Sequence, residues 1–168
     1  MSSEYRGSDT ISSNLTIRSN GQGMLNYPLA VEVYNDCYIH MDTGSNTTMQ
    51  RVKRNEKNFF KCPTNNLNNA TMYFYPAKAF SVIGDIDGGK LGEMLPEQVS
   101  FAQAGKLREL IVATADSTPN ETLKAGFAVD NNILLEKLYV ANLKSYTKDL
   151  DLSNCPNLVE LDATGSTF

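Results

Sequence analysis

In the first half of the chain, apolar and polar residues alternate in short runs separated by turn residues. The alternation is clearest in LTIR at 15–18, AVEVY at 30–34, CYIHM at 37–41 and TMQRVK at 48–53. Successive side chains on a strand point to opposite faces, so a period of two predicts half-buried antiparallel strands. We therefore predict a polar lead-in over 1–13 and a β-rich capping unit over 14–62.

The second half repeats one leucine pattern three times, as LRELIV at 107–112, LEKLYV at 135–140 and LVELDA at 158–163. The repeats start 28 and 23 residues apart, within the spacing of about 20 to 29 residues that leucine-rich repeats show. One rung of this kind cannot bury its own apolar side, so stacked rungs share a core and pair their strands in parallel. We interpret MYF at 72–74 as a degenerate earlier rung, and Asn142 as a corner residue whose side chain bonds backbone groups.

Together these patterns predict a mainly β fold, with a small antiparallel N-terminal unit followed by a short, irregular leucine-rich-repeat solenoid with a parallel sheet over 63–168. The intervening polar positions, such as Glu109 and Lys137, should lie outside the core. The apolar positions that recur in register should form one continuous core: Leu107, Leu110, Val112, Leu135, Leu138, Val140, Leu158 and Leu161.

The last repeat runs to the end of the sequence without a polar capping repeat, which terminal rungs need for solubility. We therefore expect the solenoid to continue beyond residue 168. An uncovered strand edge pairs with whatever it meets. This makes Leu161, Ala163 and Phe168 candidate interface residues.

Composition and charge narrow the range of partners. With 41% hydrophobic and 20% charged residues the chain is of ordinary globular composition, and its net charge is -4. Nucleic acid is not expected as the main partner, because phosphate neutralisation needs clustered Lys and Arg. The one basic stretch contains Arg51, Lys53 and Arg54, which we interpret as a solvated strand and turn; the alternative is a docking stripe for an acidic neighbouring subunit. Membrane insertion is not expected either, since no run approaches about 20 apolar residues.

The sequence offers little for catalysis or metal binding. His40 is the only histidine, lies in an alternating run and lacks a nucleophile motif beside it. Cys37 and His40 have the gap of half a zinc site, but only the isolated Cys62 and Cys155 remain as further thiol ligands. We predict no catalytic residues, no metal and no cofactor, and three cysteines too far apart for a disulfide framework.

The region from about 48 to 168 resembles the leucine-rich-repeat portions of the muzzle-type tail proteins of crAss-like bacteriophages. The resemblance depends on a series of motifs in order: QRVKR at 50–54, CP at 62–63, NATMYFYPA at 69–77, IGD at 83–85, VSFAQAGKLREL at 99–110, LDLSNCPNLVEL at 150–161 and ATG at 163–165. It implies a non-catalytic virion structural protein, made in the host cytoplasm and assembled into the tail with other tail subunits as a symmetric homo-oligomer. Members of that family are far longer than 168 residues, so this chain would be a fragment or a short relative.

Two alternatives to a tail protein are open. The segment LSNCPNL at 152–158 is also common in bacterial surface leucine-rich-repeat proteins, which would make the chain a cell-surface adhesin or ligand-binding module. The least favoured alternative is a tail-borne glycan hydrolase, for which scattered Asp and Glu residues are the only support.

Overall fold

Strands account for nearly all the regular structure in the computed structural model, which describes residues 15–20, 29–42, 47–60, 69–87, 99–113, 127–144 and 149–168. The polar lead-in predicted over 1–13 lies outside these residues. A single 3-10 turn, Ala77–Ala79, is the one helical element of the described residues. The strands are β1 Leu15–Asn20, β2 Leu29–Val33, β3 Cys37–Asp42, β4 Thr47–Val52, β5 Asn58–Phe60, β6 Asn69–Tyr75, β7 Phe80–Ile83, β8 Val99–Ser100, β9 Glu109–Ile111, β10 Phe127–Ala128, β11 Lys137–Tyr139 and β12 Glu160–Asp162.

Four strands form an antiparallel sheet in the order β1-β6-β3-β4. The apolar and polar residues that alternate along β3 lie on opposite faces of the strand. Cys37, Ile39 and Met41 are buried, while the residues between them are half-buried. β3 pairs with β4 along its whole length, from Cys37 opposite Val52 to Asp42 opposite Thr47. The mainly β class and the antiparallel pairing predicted for this half are confirmed.

The other large sheet is mixed and has six strands in the order β12-β11-β9-β7-β2-β5. β7, β9, β11 and β12 are parallel neighbours, whereas β2 is antiparallel to both β7 and β5. Leu138 lies opposite Leu110 on one side and Leu161 on the other, which is the register that the repeat predicted. β8 and β10 form a second, short parallel pair.

Each of the four parallel strands of the mixed sheet, β7, β9, β11 and β12, is preceded by the same tight turn. In the three predicted repeats the backbone N–H of Leu107, Leu135 and Leu158 donates to the carbonyl three residues earlier, at 3.0, 3.0 and 3.2 Å. Phe80 N–H makes the equivalent bond to Ala77. The segment from Ala77 to Ile83 is therefore a fourth rung, 27 residues before the one that begins at Ala104.

The earlier rung that we placed at 72–74 is a wrong prediction. Met72 and Phe74 lie in β6, which pairs antiparallel with β1 and β3 and is not part of the parallel ladder. The parallel rungs start with β7, where Phe80 and Ile83 occupy the two leucine positions and are fully buried. Aromatic and β-branched residues fill these two positions, so a search for leucine spacing does not find the rung.

Adjacent rungs are tied together by backbone hydrogen bonds at one recurring position. Arg108 N–H donates to Ser81 at 2.8 Å, Glu136 N–H to Arg108 at 2.8 Å, and Val159 N–H to Glu136 at 2.9 Å. At the far corner of the last two rungs, Asn142 and Gly165 both have positive φ, 62° and 73°. They lie 23 residues apart, which is also the distance between the starts of these two repeats, so the two corners have the same type of backbone conformation at equivalent positions.

A buried polar position is stacked inside the ladder. Asn132 is fully buried, and its side-chain amide donates to the carbonyls of Phe101 and Ala104 in the preceding rung, each at 2.9 Å. Cys155 occupies the same position in the next rung, and its thiol contacts the Val129 carbonyl at 3.6 Å. Both side chains therefore link a turn to the turn before it.

The two large sheets share one hydrophobic core. It joins β1, β3 and β6 of the antiparallel sheet to the leucine columns of the mixed sheet. The unit boundary predicted at residue 62 needs correction, since β6 lies beyond it yet completes the antiparallel sheet, while β2 and β5 lie before it yet belong to the mixed sheet. Long-range pairing decides the grouping of these strands, and alternation within a strand carries no information about it.

Candidate interaction surfaces

The predicted core residues lie where the ladder is covered on both sides, except at its last rung. Six of them are fully buried: Leu107, Leu110, Val112, Leu135, Leu138 and Val140. Leu158 is partly buried against this core. Leu161 is 47% exposed, so its assignment to the buried core is corrected: β12 is the outermost strand of the described sheet, and no rung covers its free side.

The outer face of the parallel ladder carries charged side chains in rows. Lys137 lies between Glu109 and Glu160, with its ammonium 3.6 Å and 3.9 Å from their carboxylates. Arg108 and Glu136 form the next row, with a 2.5 Å ion pair. These pairs join neighbouring rungs, but their exposure to solvent keeps the contribution of each small.

A groove of about 220 Å³ runs along this face. Tyr139 lines it and donates a hydrogen bond from its hydroxyl to Glu160, and this hydrogen bond is the main reason that the pKa of Tyr139 is raised to about 12. The groove is lined by four carboxylates and two lysines, Glu32, Asp85, Asp87, Glu109, Lys57 and Lys137. An acidic groove of this size suits a basic side chain of a partner better than an anion.

The free side of β12 combines an unpaired strand edge with exposed apolar side chains. Within the described residues β12 pairs with β11 alone. Val159 is 82% exposed, and Phe168, also predicted as an interface residue, is 38% exposed. Ala163, the third of the predicted interface residues at this end, is partly buried against the core. We name this surface, 158–163 with Phe168, the β12 edge.

The basic residues predicted as a docking stripe lie in β4 of the antiparallel sheet and in the turn from β4 to β5, the edge strand at the other end of the mixed sheet from β12. Arg51, the next-to-last residue of β4, pairs with Asp36 at 2.7 Å, while Lys53 and Arg54 are exposed in the turn that leads to β5. The Arg54 backbone N–H also donates to Asp36, and this bond together with Arg51 lowers the pKa of Asp36. We name residues 51–57 the basic turn.

The geometry of the basic turn is fixed by one side chain. Asn58 accepts from Lys53 N–H at 3.1 Å and donates to the carbonyls of Lys53 and Glu56 at 2.9 and 3.1 Å. Lys57 is held by Asp85 at 3.2 Å. The turn therefore presents Lys53 and Arg54 from a defined backbone next to the β5 edge.

Of the residues considered for catalysis or zinc, the three that the structure describes, Cys37, His40 and Cys155, form no metal-binding group. Cys37 points into the core, where burial raises the pKa of its thiol to about 12, and His40 points to the other face of β3, against the Tyr73 ring. Burial also raises the pKa of Cys155, and Cys62 lies outside the described residues. Within the described ranges no group of three His, Cys, Asp or Glu side chains could hold a metal ion.

No described helix has the length and apolar character needed to cross a membrane. The chain was also compared with protein-family models, curated proteins and solved structures. None of them matches. The muzzle-like interpretation therefore depends on the motif order alone.

Sequence reasoning missed the groove, the fourth rung and the buried Asn132. A signal for Asn132 was present in the sequence, because positions three residues apart before each leucine pair already belong to the repeat: 101 and 104 before Leu107, 129 and 132 before Leu135, and 152 and 155 before Leu158. Writing the rungs from Phe101, Val129 and Leu152 instead of from the leucines aligns Asn132 with Cys155. The groove depends on which strands become neighbours, so no local pattern predicts it.

Proposed function

We propose that this chain is a non-catalytic structural protein that makes subunit contacts, and that the β12 edge is the surface that binds the neighbouring subunit. The observation that carries the proposal is the free edge of β12 with Val159 and Leu161 exposed on it. The three strands before it in the mixed sheet, β7, β9 and β11, each have a neighbouring strand on both sides, and Ile83, Leu110 and Leu138 on them are buried.

An edge of this composition favours association for two reasons. Its unpaired N–H and C=O groups can bond an added strand, as the parallel strands already do with each other. Covering Val159 and Leu161 also removes apolar area from water, which contributes about 25 cal/mol per Å². Both gains are available to a partner that extends the sheet.

The assembly that we propose is a phage tail of the muzzle type, with the chain located in the virion. The ordered motifs from QRVKR at 50–54 to ATG at 163–165 support this choice. Two of these motifs, at 99–110 and at 150–161, contain rungs of the parallel ladder. A structural subunit of this kind needs a surface for its neighbour more than a cleft for a substrate.

A cell-surface ligand-binding module is the second candidate, and the acidic groove on the ladder face favours it. The outer face of a curved parallel sheet is the surface on which stacked-repeat proteins commonly bind ligands. In that case the groove lined by Glu32, Asp85 and Glu109 would bind a ligand with basic groups, while the β12 edge would be covered by further repeats.

Site-specific photocrosslinking in the native context separates the two candidates. A photoreactive amino acid replaces Val159 on the β12 edge, or Lys78 on a distant exposed turn as the matched control. Particles are then purified on a density gradient and the crosslinked peptides are identified. We expect the chain in virions, with a crosslink from 159 to a tail subunit and none from 78. Recovery in the cell envelope without virions would contradict the proposal and favour the surface module.

A further inference from the structure

The mixed sheet has two free edges, and they differ in character. β12 lies at one end of the strand order and β5 at the other, and within the described residues each pairs on one side only. Phe59 on β5 is 54% exposed, comparable with Leu161 on β12. Each edge strand has three residues, so neither is too long to be covered by the other.

The two edge strands also run in the same direction. β5 is antiparallel to β2, β2 is antiparallel to β7, and β7 is parallel to β9, β11 and β12. If one copy is placed beside another with the outer faces continuous, β5 of the second copy meets β12 of the first as a parallel strand. The contact would continue the pairing already used by the four rungs.

Charge distinguishes this head-to-tail contact from a symmetric one. Glu160 and Asp162 project from the outer face of β12, whereas Lys57 precedes β5 and Lys53 and Arg54 are exposed in the basic turn beside it. Opposite charges across neighbouring strands stabilise pairing, and like charges directly opposite destabilise it. Two β12 edges would oppose carboxylates with carboxylates, and two β5 edges would oppose cations with cations.

We propose that the subunit bound at the β12 edge is a second copy of this chain, which docks with its β5 edge and basic turn. This inference rests on the proposed function and names its partner. The surface used on one copy differs from the surface used on the next, so the contact is heterologous and generates a ring or a filament of copies. The acidic β12 edge and the basic turn are then the two halves of one interface.

A charge-swap experiment on the full chain tests the pairing. One variant carries Glu160→Lys on the β12 edge, and the other carries Lys53→Glu with Arg54→Glu on the basic turn. Each variant alone presents like charges to its own second copy, whereas an equimolar mixture restores opposite charges at both kinds of contact. Sedimentation velocity over a concentration series measures the association of each variant and of the mixture.

We expect the wild-type chain to associate as its concentration increases. Each variant alone should need a concentration at least tenfold higher to reach the midpoint of association. The mixture should associate at a concentration close to that of wild type. Matched controls reverse the same amount of charge elsewhere: Asp130→Lys for the first variant, and Lys78→Glu with Lys106→Glu for the second. These controls should associate like wild type. Thermal unfolding of every variant verifies that it is folded.

Two outcomes would overturn the proposal. One is a wild-type chain that stays monomeric at every concentration, and the other is a mixture that associates no better than the single variants. Either result refutes self-association through these edges. If the crosslink from 159 then reaches a different tail protein, the proposal that the β12 edge binds a neighbouring subunit still stands. Absence of both the crosslink and self-association would instead remove the proposed function itself.

Discussion

Replacing Asn132 with alanine removes two buried side-chain hydrogen bonds between its rung and the rung before it. Both bonds, to the carbonyls of Phe101 and Ala104, are 2.9 Å long and fully buried. Each carbonyl keeps one backbone donor, from Ala104 and Leu107 respectively, so neither is left without a partner. At a net worth of about 0.5 to 1.5 kcal/mol for each bond, the loss should be about 1 to 3 kcal/mol.

The aspartate variant sharpens the test because it keeps the size of the side chain. Asn132→Asp places a buried carboxylate against two carbonyl oxygens, so we expect it to cost more than Asn132→Ala. Cysteine, which the next rung uses at Cys155, should cost less than alanine because its thiol can still reach a carbonyl. Equilibrium urea unfolding measures the free energy of unfolding of all three variants. The values can be compared if the slope of this free energy against urea concentration is unchanged.

Asn131 supplies the matched control. It is exposed, and its amide donates to the Ala102 carbonyl at 3.3 Å, so Asn131→Ala should change the free energy of unfolding by less than about 0.5 kcal/mol. Equal losses at Asn131 and Asn132, or a stable Asn132→Asp variant, would show that the buried amide does not link the rungs.

Three further predictions concern the ladder and its outer face. Gly84 has φ +94°, and a Cβ added there would collide with the backbone oxygen of Ile111 in the neighbouring strand, so Gly84→Ala should cost more than about 2 kcal/mol in urea unfolding. Gly105→Ala, with its nearest contacts at 3.8 Å, should cost far less, and equal costs would refute the close approach. Leu138→Ala in the covered part of the mixed sheet should cost about 2 to 5 kcal/mol, and Leu161→Ala at its exposed end under about 1 kcal/mol, in urea unfolding of dilute protein. Equal costs at the two positions would show that β12 is covered within the chain. The pKa of Tyr139 is raised to about 12, so the folded chain keeps a proton that an unfolded tyrosine loses near pH 10. Stability should therefore fall as the pH rises from about 10 to 12, and a Tyr139→Phe variant that falls just as steeply in urea unfolding would contradict this origin.

The short strands and the register of the last three rungs could be predicted because each depends on a pattern within a few residues. β3 and β4 show period two in the sequence and in their exposure. The leucine spacing likewise places Leu110, Leu138 and Leu161 opposite each other. In these cases one face of the strand must be buried, so apolar residues recur in the sequence at the positions that point to that face.

Features that depend on distant pairing could not be predicted in this way. Nothing local to β2 or β5 indicates that they extend the parallel ladder, and β6 looked like a rung although it pairs with β1. The exposure of Leu161 also depends on its neighbours, since it occupies the same repeat position as the buried Leu138. Both candidate interface sets were recognised as exposed or basic segments. That β12 lies at one end of the mixed sheet, and that Lys53 and Arg54 lie beside β5 at its other end, appears only in the fold.

Amide hydrogen exchange at the β12 edge tests most directly whether this strand is where a subunit binds. The exchange of peptides covering 158–163 is compared between dilute and concentrated protein, with 80–83 in the middle of the sheet as the internal reference. We expect protection at 158–163 to rise with concentration, together with protection at 57–60, and no change at 80–83. Unchanged exchange at 158–163 in protein that sedimentation shows to be associated would contradict binding at the β12 edge.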